Sequence, residues 1–328
     1  ENSLIDLWSL FDFCLPSLLG PFPWFKQFYQ KMTEEKSFQP LKKIIKPYLL
    51  RRVKTDRSII KDLPEKIEKK TYCSLTKEQV HHYKEELNNL AKSLKEEQEN
   101  IKRKGLVLKY LMVFKQICNH PSQHLGEQDY HEKKSGKFIM LGELAKKIAA
   151  KGEKLIVFTQ FKELTTPLNQ FLESIFHKPG FILHGGTNVQ TRKERVQLFQ
   201  EKDDYPYFIL SLKAGGSGLN LTRANHVIHF DRWWNPSVEN QATDRSFRIG
   251  QKSNVMVHKF ICKGTLEQKI DQIIEEKIDL IDAIVTESQL KLTELDDKKL
   301  LELLSLDSSP ETVIDIGLEQ SEGPRYGL

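Results

Sequence analysis

The chain has 328 residues, of which 39% are hydrophobic and 9% aromatic. This composition supports packed cores and excludes the possibility that the whole chain is a disordered tail. Its length predicts two or three packed units. The 13 prolines and 17 glycines exclude collagen-like and low-complexity proteins, and 50 basic against 45 acidic residues leave a net charge of +5, a mild preference for polyanions.

Apolar periodicity in the first 70 residues predicts helices around a small core. Apolar residues repeat at spacings of three and four on both sides of a proline-containing turn. They are Leu4, Leu7, Trp8, Leu10 and Phe11 before the turn, and Phe22, Phe25 and Phe28 after it. The basic run between residues 41 and 57 is typical either of a solvated face or of a surface that tracks nucleic-acid phosphates. We expect residues 62–66 to be a connector.

Residues 71–134 predict two long amphipathic helices packed on each other. Thr76 and Gln79 fit a capping box, in which a hydroxyl and an amide side chain satisfy free amides at a helix start. Apolar residues then recur at helical spacing in two stretches, 80–94 and 106–117. The pair ends at Asn119-His120-Pro121.

Residues 135–265 alternate between short apolar runs and amphipathic segments. The runs predict five strands at 155–159, 181–183, 207–212, 226–230 and 255–261, and the segments predict helices at 139–150, 162–176, 190–201 and 236–248. Near-continuous apolar strands separated by helices indicate an α/β fold with a parallel sheet covered on both faces. Residues 266–308 predict further packing helices, and 309–328 a loose tail.

No segment has the pattern of a membrane span or a signal peptide. The most apolar early stretch, residues 10–25, contains Asp12 and three prolines, and no basic segment precedes it. We therefore expect no membrane partner. Because the chain starts at Glu1 rather than Met, we also expect it to be a piece of a longer protein.

The cysteines exclude a disulfide framework and a zinc ribbon, because they lie far apart and form no C-x-x-C pair. They are Cys14, Cys73, Cys118 and Cys262. This usage is typical of a reducing compartment. The alternative is a metal site built from Cys118, His120, His124 and His131. Since that spacing matches none of the common zinc patterns, we expect no metal site.

Four predicted strands change abruptly at their carboxyl ends from apolar to small, polar or aromatic residues. These exits are 159–161, 184–187, 213–218 and 231–236. Because the carboxyl ends of parallel strands meet at one edge, where ligands bind, we expect the exits to line one crevice. The glycines allow close approach of a phosphate, although a sharp turn into a helix explains them equally well. Trp233 and Trp234 belong either to the core or to a surface that stacks on nucleic acid.

The segment from Gln241 to Arg248 carries the strongest chemical signal. On a helix, Gln241, Arg245 and Arg248 share one face with Asp244, and the helix starts just after the fourth exit. We therefore expect the guanidinium groups to point at the same crevice, the alternative being a surface ion-pair patch. An arginine at a γ-phosphate neutralises charge that develops in phosphoryl transfer, an effect of ~10³–10⁵ in rate.

Half of a nucleotide site is missing from the sequence. No G-x-x-x-x-G-K-[ST] motif occurs, since residues 133–137 lack the first glycine and the closing hydroxyl. No Asp-Glu pair ends an apolar strand to hold Mg²⁺. The chain thus has arginines for a γ-phosphate and no cradle for it.

These motifs, in this order, resemble the second RecA-like lobe of the Swi/Snf-type ATP-dependent DNA translocases, within the second helicase superfamily. The resemblance covers about residues 1–305. The segments that carry it are 7–10, 50–54, 63–66, 116–121, 155–161, 183–192, 210–222 and 241–251. At His184 the sequence departs from the family pattern, in which many relatives carry Asp.

The resemblance implies a RecA-like parallel sheet with all-α protrusions on its N-terminal side, in a motor that uses ATP with Mg²⁺ to move along double-stranded DNA. It implies that Arg245 and Arg248 are arginine fingers with Gln241 beside them. It also implies that Gly216 and Gly218 line the nucleotide. The residues that it places on or near the DNA are Thr159, Gln160, Gly185, Lys213 and Trp234.

In this family the first lobe supplies the phosphate loop and the Asp-Glu box. We therefore expect that lobe of the same protein as a partner, and no ATPase activity from this chain alone. The resemblance also implies a protein bound to the DNA as a further target, and an intracellular, DNA-associated location. It divides the chain into a helical protrusion and basic linker (1–70), a helical insertion (71–134), the RecA-like lobe (135–265), packing helices (266–308) and a tail (309–328).

Three alternatives remain. An RNA-remodelling helicase lobe lacks the pair of long helices and the Trp-Trp-Asn-Pro exit that favour a duplex-DNA motor. A non-enzymatic nucleic-acid-binding module would not need both finger arginines and the glycines of 213–218. A dinucleotide enzyme requires a G-x-G-x-x-G after the first strand, which the sequence does not have.

Overall fold

The amino-terminal segment forms a small helical unit, as predicted. The computed structural model describes residues 4–35, 37–50, 63–97, 99–212, 219–233, 235–278, 292–307 and 312–314. Helices α1 (Leu4–Cys14), α2 (Phe22–Glu34) and α3 (Gln39–Ile45) bury Phe11, Phe25 and Leu41 among them. Leu10, which the periodicity placed in this core, is 60% exposed. The basic side chains of residues 51–57 lie outside the described part of the chain.

Two long helices follow, as the sequence predicts. They are α4 (Lys77–Glu96) and α5 (Asn100–Asn119). The short helix α6 (Pro121–Leu125) follows α5 and leads to the next segment. The capping box is present, because the Thr76 hydroxyl accepts from the Gln79 amide and Gln79 Oε1 accepts from the Thr76 amide. Tyr83 packs on Phe114 across the pair, with ring centroids 4.5 Å apart.

A six-stranded, fully parallel sheet forms the centre of the chain. In chain order its strands are β1 (Lys66–Cys73), β3 (Leu155–Thr159), β4 (Phe181–Leu183), β5 (Tyr207–Ser211), β6 (His226–His229) and β7 (Val255–Cys262). Their order in the sheet is β1-β7-β6-β3-β5-β4. The five predicted strands are confirmed, with ends that shift by one residue at most. This arrangement is the predicted α/β fold.

Strand β1 was not predicted, and the expected connector at 62–66 in fact leads into it. It pairs with β7 from Lys66 opposite Val255 to Cys73 opposite Cys262, so it extends the sheet at one edge. Its many charged side chains hide the strand pattern, because an edge strand exposes much of its surface. The predicted division between residues 70 and 71 falls inside this strand.

Helices cover both faces of the sheet. Along β3, Leu155 and Val157 join one core and Ile156 and Phe158 the other, as alternation in a strand requires. The helices are α7 (Gly136–Ala150), α8 (Thr165–Phe176), α9 (Val189–Glu201), α10 (Pro236–Thr243), α11 (Leu266–Ile278) and α12 (Asp297–Leu304). Within the described residues, no helix combines the length and hydropathy that crossing a bilayer requires.

The carboxyl-terminal segment also contacts the helical insertion. Strand β8 (Val313–Ile314) pairs with β2 (Leu75–Thr76), so this part of the predicted loose tail is ordered. Most of the remaining tail lies outside the described residues.

A buried ion pair joins α7 to α11 beneath the helical insertion. Lys137 Nζ lies 2.6 Å from Glu267 Oε1 and 2.9 Å from Asn119 Oδ1, and neither charged side chain is exposed. Burial acts to lower the pKa of Lys137, but the charge of Glu267 raises it above its ordinary value. The insertion and the sheet therefore share one core that contains a fully paired charge.

We expect Lys137→Met to lower the free energy of unfolding by about 3–5 kcal/mol, because it leaves the Glu267 carboxylate buried without a partner. The double variant Lys137→Met/Glu267→Met should recover most of this loss. Urea unfolding followed by circular dichroism measures both. Lys102→Met, which removes an exposed ion pair with Glu99, is the control and should change stability by less than about 1 kcal/mol. Equal losses in the buried and exposed variants would contradict the prediction.

Candidate functional site

The exits of β3 and β6 are tied together by one buried carboxylate. Asp231 accepts a hydrogen bond from the Thr159 hydroxyl, and a second, 2.9 Å long, from the Gln160 amide. Thr159, which the resemblance places on or near the DNA, is fully buried, so its hydroxyl supports this edge from inside. Burial raises the pKa of Asp231 to about 6, and the positive charge of Lys137 opposes this rise.

Gln160 and Gly185 lie at the carboxyl edge of the sheet. The Nε2 of Gln160 is buried and, within the described residues, has no hydrogen-bond partner. Gly185 is exposed, and a Cβ added to it would meet nothing within 4 Å. A glycine with free space beside it and a side-chain amide without a partner lie at one strand edge. Such an edge suits a ligand whose backbone comes close to the protein backbone.

A cavity of about 550 Å³ lies between the exits of β3 and β4. Lys162, His184 and Arg195 contribute to its lining together with Thr166. The Arg195 guanidinium is held by the carbonyl of Ile182, the middle residue of β4. The sequence analysis missed Lys162 and Arg195, although each follows an exit that it singled out. They supply two basic groups at this edge, beside the acidic Glu163 that also lines the cavity.

Four of the predicted site residues cannot be placed. Lys213, Gly216, Gly218 and Trp234 lie outside the described residues. Trp233, the other member of the tryptophan pair, is half-buried and packs against the core that Phe158 belongs to.

The loop after β6 is anchored by buried charges that the sequence analysis did not identify. Arg232 donates from Nε to Glu239 Oε1 at 2.9 Å and also pairs with Asp271. The same Glu239 oxygen accepts from the Trp233 amide at 2.8 Å, and Lys115 Nζ donates to the Arg232 carbonyl at 2.8 Å. Helices α5, α10 and α11 thus all hold this loop.

The arginines do not lie on a helix, which corrects the prediction. Helix α10 ends at Thr243, and Arg245 and Arg248 lie on a turn that continues to Gly250. The helix ends here because Phe247 turns into the core and is almost fully buried. The Thr243 hydroxyl bonds His229 Nε2 at 2.8 Å, which fixes this helix end on β6. We call residues 244–250 the arginine turn.

The arginine turn is held against residues 221–224, the segment that leads into β6. The Arg245 carbonyl accepts from the Leu221 amide at 2.9 Å, and Gln251 Nε2 donates to the Ala224 carbonyl at 3.0 Å. Ala224 stands just before β6, at the amino end of that strand. The last residue of α10 thus contacts the carboxyl-terminal residue of β6, whereas the turn that follows contacts the segment before the amino end of that strand.

The two guanidinium groups have different surroundings, because Arg245 is half-buried and Arg248 is exposed. Burial lowers the pKa of Arg245, the nearby charge of Arg248 lowers it further, and Asp244 raises it. Arg248 is exposed, and among the described residues its side chain has no ion-pair partner. Gln241 is half-buried near the end of α10. Two neighbouring cations on one turn suit a phosphate group.

Within the described residues, Asp244 is the carboxylate of this turn, and no group of three metal-ligating side chains includes it. Within the described part of the chain, one group of metal-ligating side chains lies close together, namely Cys118, Cys262 and Glu267. All three are buried, and Glu267 already pairs with Lys137. Of the three histidines in the alternative metal site, His120 uses its ring nitrogens on the Ser122 amide and the His131 carbonyl. The chain's own residues therefore fit the phosphates of a nucleotide and not its Mg²⁺.

Comparison with known proteins decides the family. Residues 1–123 match the SNF2-related domain, and residues 136–250 match the helicase conserved C-terminal domain. The solved C-terminal domain of the SWI2/SNF2 ATPase of Sulfolobus solfataricus is 37% identical, with a TM-score of 0.64 over 74% of this chain and 100% of that domain. The chain belongs to the SWI2/SNF2 family. The stated resemblance and the RecA-like fold are thus confirmed.

Longer SWI2/SNF2 proteins contain a region similar to this chain. The S. solfataricus SWI2/SNF2 ATPase core in complex with dsDNA is 39% identical, covering 93% of this chain and 65% of that one, with a TM-score of 0.67. A putative ATP-dependent helicase/translocase of Bacillus subtilis is 42% identical over 95% of this chain. An uncharacterized ATP-dependent helicase of Mycoplasma pneumoniae is 35% identical over 92%. The chain spans 34% and 28% of the lengths of these two relatives.

We expect the stability of this SWI2/SNF2 chain to report the titration of Asp231. Because its pKa rises from 3.8 to about 6 on folding, the folded state retains a proton that the unfolded state releases, and stability falls as the pH rises through this window. Asp231→Asn has no carboxyl group at this position, so its stability does not fall with pH for this reason. The difference in free energy of unfolding between Asp231→Asn and the unmodified chain should therefore increase by about 3 kcal/mol from pH 4 to pH 6.

Urea unfolding at a series of pH values measures this difference. Asp204→Asn, at an exposed position, is the control and should give a flat difference. If the difference for Asp231→Asn is also independent of pH, the carboxylate does not have the raised pKa.

Proposed function

We propose that this chain is the carboxyl-terminal half of an ATP-dependent motor that moves along double-stranded DNA. The observation that carries the proposal is the separation of two anion-binding features on one rigid sheet. The arginine turn lies beside the amino end of β6, and the open edge with Gln160, Gly185 and the cationic cavity lies at the carboxyl ends of β3 and β4. The similarity to a SWI2/SNF2 ATPase core solved with dsDNA supports the assignment of the second feature.

In this proposal the arginine turn completes a nucleotide site whose phosphate loop and Asp-Glu box belong to a preceding lobe. Bound ATP with Mg²⁺ supplies the phosphoanhydride bond that is hydrolysed. Arg245 and Arg248 neutralise negative charge on the γ-phosphate oxygens as it develops, and Gln241 lies beside them. Gly216 and Gly218 line the same site. Without the other lobe, this chain does not hydrolyse ATP.

The carboxyl edge in turn holds the DNA backbone. Gly185 lets a phosphate approach the chain beside Gln160, and Lys162 and Arg195 supply positive charge. Lys213 and Trp234 belong to the same surface, whereas Thr159 shapes it through Asp231. Such contacts are independent of base sequence and sensitive to salt. Opening and closing of the cleft between lobes moves this edge along a strand.

Duplex DNA is favoured over the alternatives. The solved core that covers 93% of this chain was determined with dsDNA, which argues against an RNA-remodelling lobe. Two charged arginines on a solvent-accessible turn argue against a purely nucleic-acid-binding module, because that function needs no γ-phosphate contact. A DNA-bound protein as the object that is moved remains part of the proposal.

Arg248→Ala should abolish DNA-stimulated ATP hydrolysis by the full-length protein, with a loss of about 10³-fold or more, because the transition-state charge loses a cation. Binding of ATP should change by less than threefold. Steady-state ATPase assays with and without duplex DNA, together with a fluorescent-nucleotide titration, measure both quantities.

The matched control for this experiment is Arg223→Ala. Arg223, which lies on the segment that precedes β6, is also exposed, but it pairs with Asp203. It should retain normal turnover. Near-normal hydrolysis by Arg248→Ala would remove the arginine turn from the nucleotide site.

Gly185→Ala should weaken duplex binding by about tenfold without loss of stability, since the added methyl group meets no protein atom but occupies space that a phosphate needs. Fluorescence anisotropy with a labelled duplex at two salt concentrations gives the affinity, and thermal unfolding gives the stability. Gly105→Ala on α5, where the methyl group is equally unobstructed, should leave the affinity unchanged. Equal affinities for the two variants would exclude a close phosphate at Gly185.

A further inference from the structure

Gln251, the residue that follows the arginine turn, has a buried side-chain amide with four hydrogen bonds. Its Nε2 donates to the carbonyls of Ala224 and Ser246, at 3.0 and 3.2 Å. Its Oε1 accepts from the amides of Lys252 and Ser253, at 2.9 and 3.0 Å. Gln251 is 6% exposed, so these partners replace water almost completely. The side chain is therefore locked in one conformation.

These bonds hold the backbone of the arginine turn at several points. Ser246, which accepts from Gln251, lies between the two arginines. The Gln251 backbone amide also donates to the Arg248 carbonyl at 3.0 Å, and the Leu221 amide holds the Arg245 carbonyl at 2.9 Å. The other end of the Gln251 amide reaches Ala224, directly before β6. Gln251 thus links the arginine turn to the sheet.

Such a link matters because the arginine turn has little regular structure of its own. Arg248 is exposed, and the turn that carries it ends at Gly250 with a φ of +99°. The position of a flexible arginine side chain depends on where its backbone is held. A displacement of about 1 Å at a catalytic contact costs about 10²-fold in rate.

We propose that Gln251 is a positioning residue for ATP hydrolysis, which acts by fixing the backbone of Arg245 and Arg248 against the segment that leads into β6. The inference rests on the proposed function, in which these arginines contact the γ-phosphate. It assigns to Gln251 no contact with nucleotide or DNA.

The chain contains a matched control for this proposal. Gln79 is fully buried and makes the same set of four bonds, donating to the carbonyls of Ile117 and Cys118 and accepting from the amides of Thr76 and Gly136. It lies on α4 in the helical insertion, and none of these four partners belongs to the arginine turn. Loss of either amide leaves similar unsatisfied groups in a core.

The experiment compares Gln251→Met, Gln251→Glu and Gln79→Met in the full-length protein. Gln251→Met keeps the side-chain length and removes all four bonds, whereas Gln251→Glu keeps both acceptor bonds and removes the donors to Ser246 and Ala224. For each variant, kcat and KM for ATP are measured at saturating duplex DNA, well below its unfolding temperature. Arg248→Ala is measured in parallel.

We expect both Gln251 variants to lose at least tenfold in kcat, with KM for ATP and the half-saturating DNA concentration within twofold of normal. Gln79→Met should lose thermal stability to a similar extent and keep kcat within twofold. If the Gln251 variants match Gln79→Met in kcat while Arg248→Ala is inactive, the positioning role is wrong and the proposed function stands. If Arg248→Ala is active, the proposed function fails and the inference with it.

Discussion

Every neighbouring pair of strands in the central sheet is parallel, and the other features of the site follow from this constraint. Each connection must return the chain from a carboxyl end to an amino end, so it crosses a face of the sheet. The segments that follow the carboxyl ends of the strands therefore lie at one edge of the sheet. The segments that end each crossover and lead into the next strand lie at the opposite edge. Gln160 and Gly185 belong to the first group, and Arg245 and Arg248 to the second.

Buried charges connect these surfaces to the surrounding helices. Arg232 carries two carboxylate partners, and Lys115 of the helical insertion donates to its carbonyl. Taking such groups out of water costs several kcal/mol each, and the cost is offset only when geometry and partners are complete. For this reason the loop after β6 has little freedom to move on its own. Movement of that loop is expected to involve α10 and α11 as well.

Asp231 is a second connection of this kind. It holds the exits of β3 and β6 together although burial disfavours its charged form, as its raised pKa indicates. Lys115 experiences the opposite effect, because burial lowers its pKa to about 8. In both groups the cause of the shift is burial, which disfavours the charged form of an acid and of a base alike.

The sequence by itself determined the α/β class, the strand positions, the helical pair with its capping box and the segments that carry the chemistry. Those features depend on local periodicity and on short-range hydrogen bonds, which neighbouring residues specify. Only the tertiary structure decided that Lys66–Cys73 is a strand, because its charged residues become compatible with a sheet only beside β7. It also decided that the helix ends at Thr243, since the burial of Phe247 outweighs continued helical spacing, and so it separated the arginines from the strand exits.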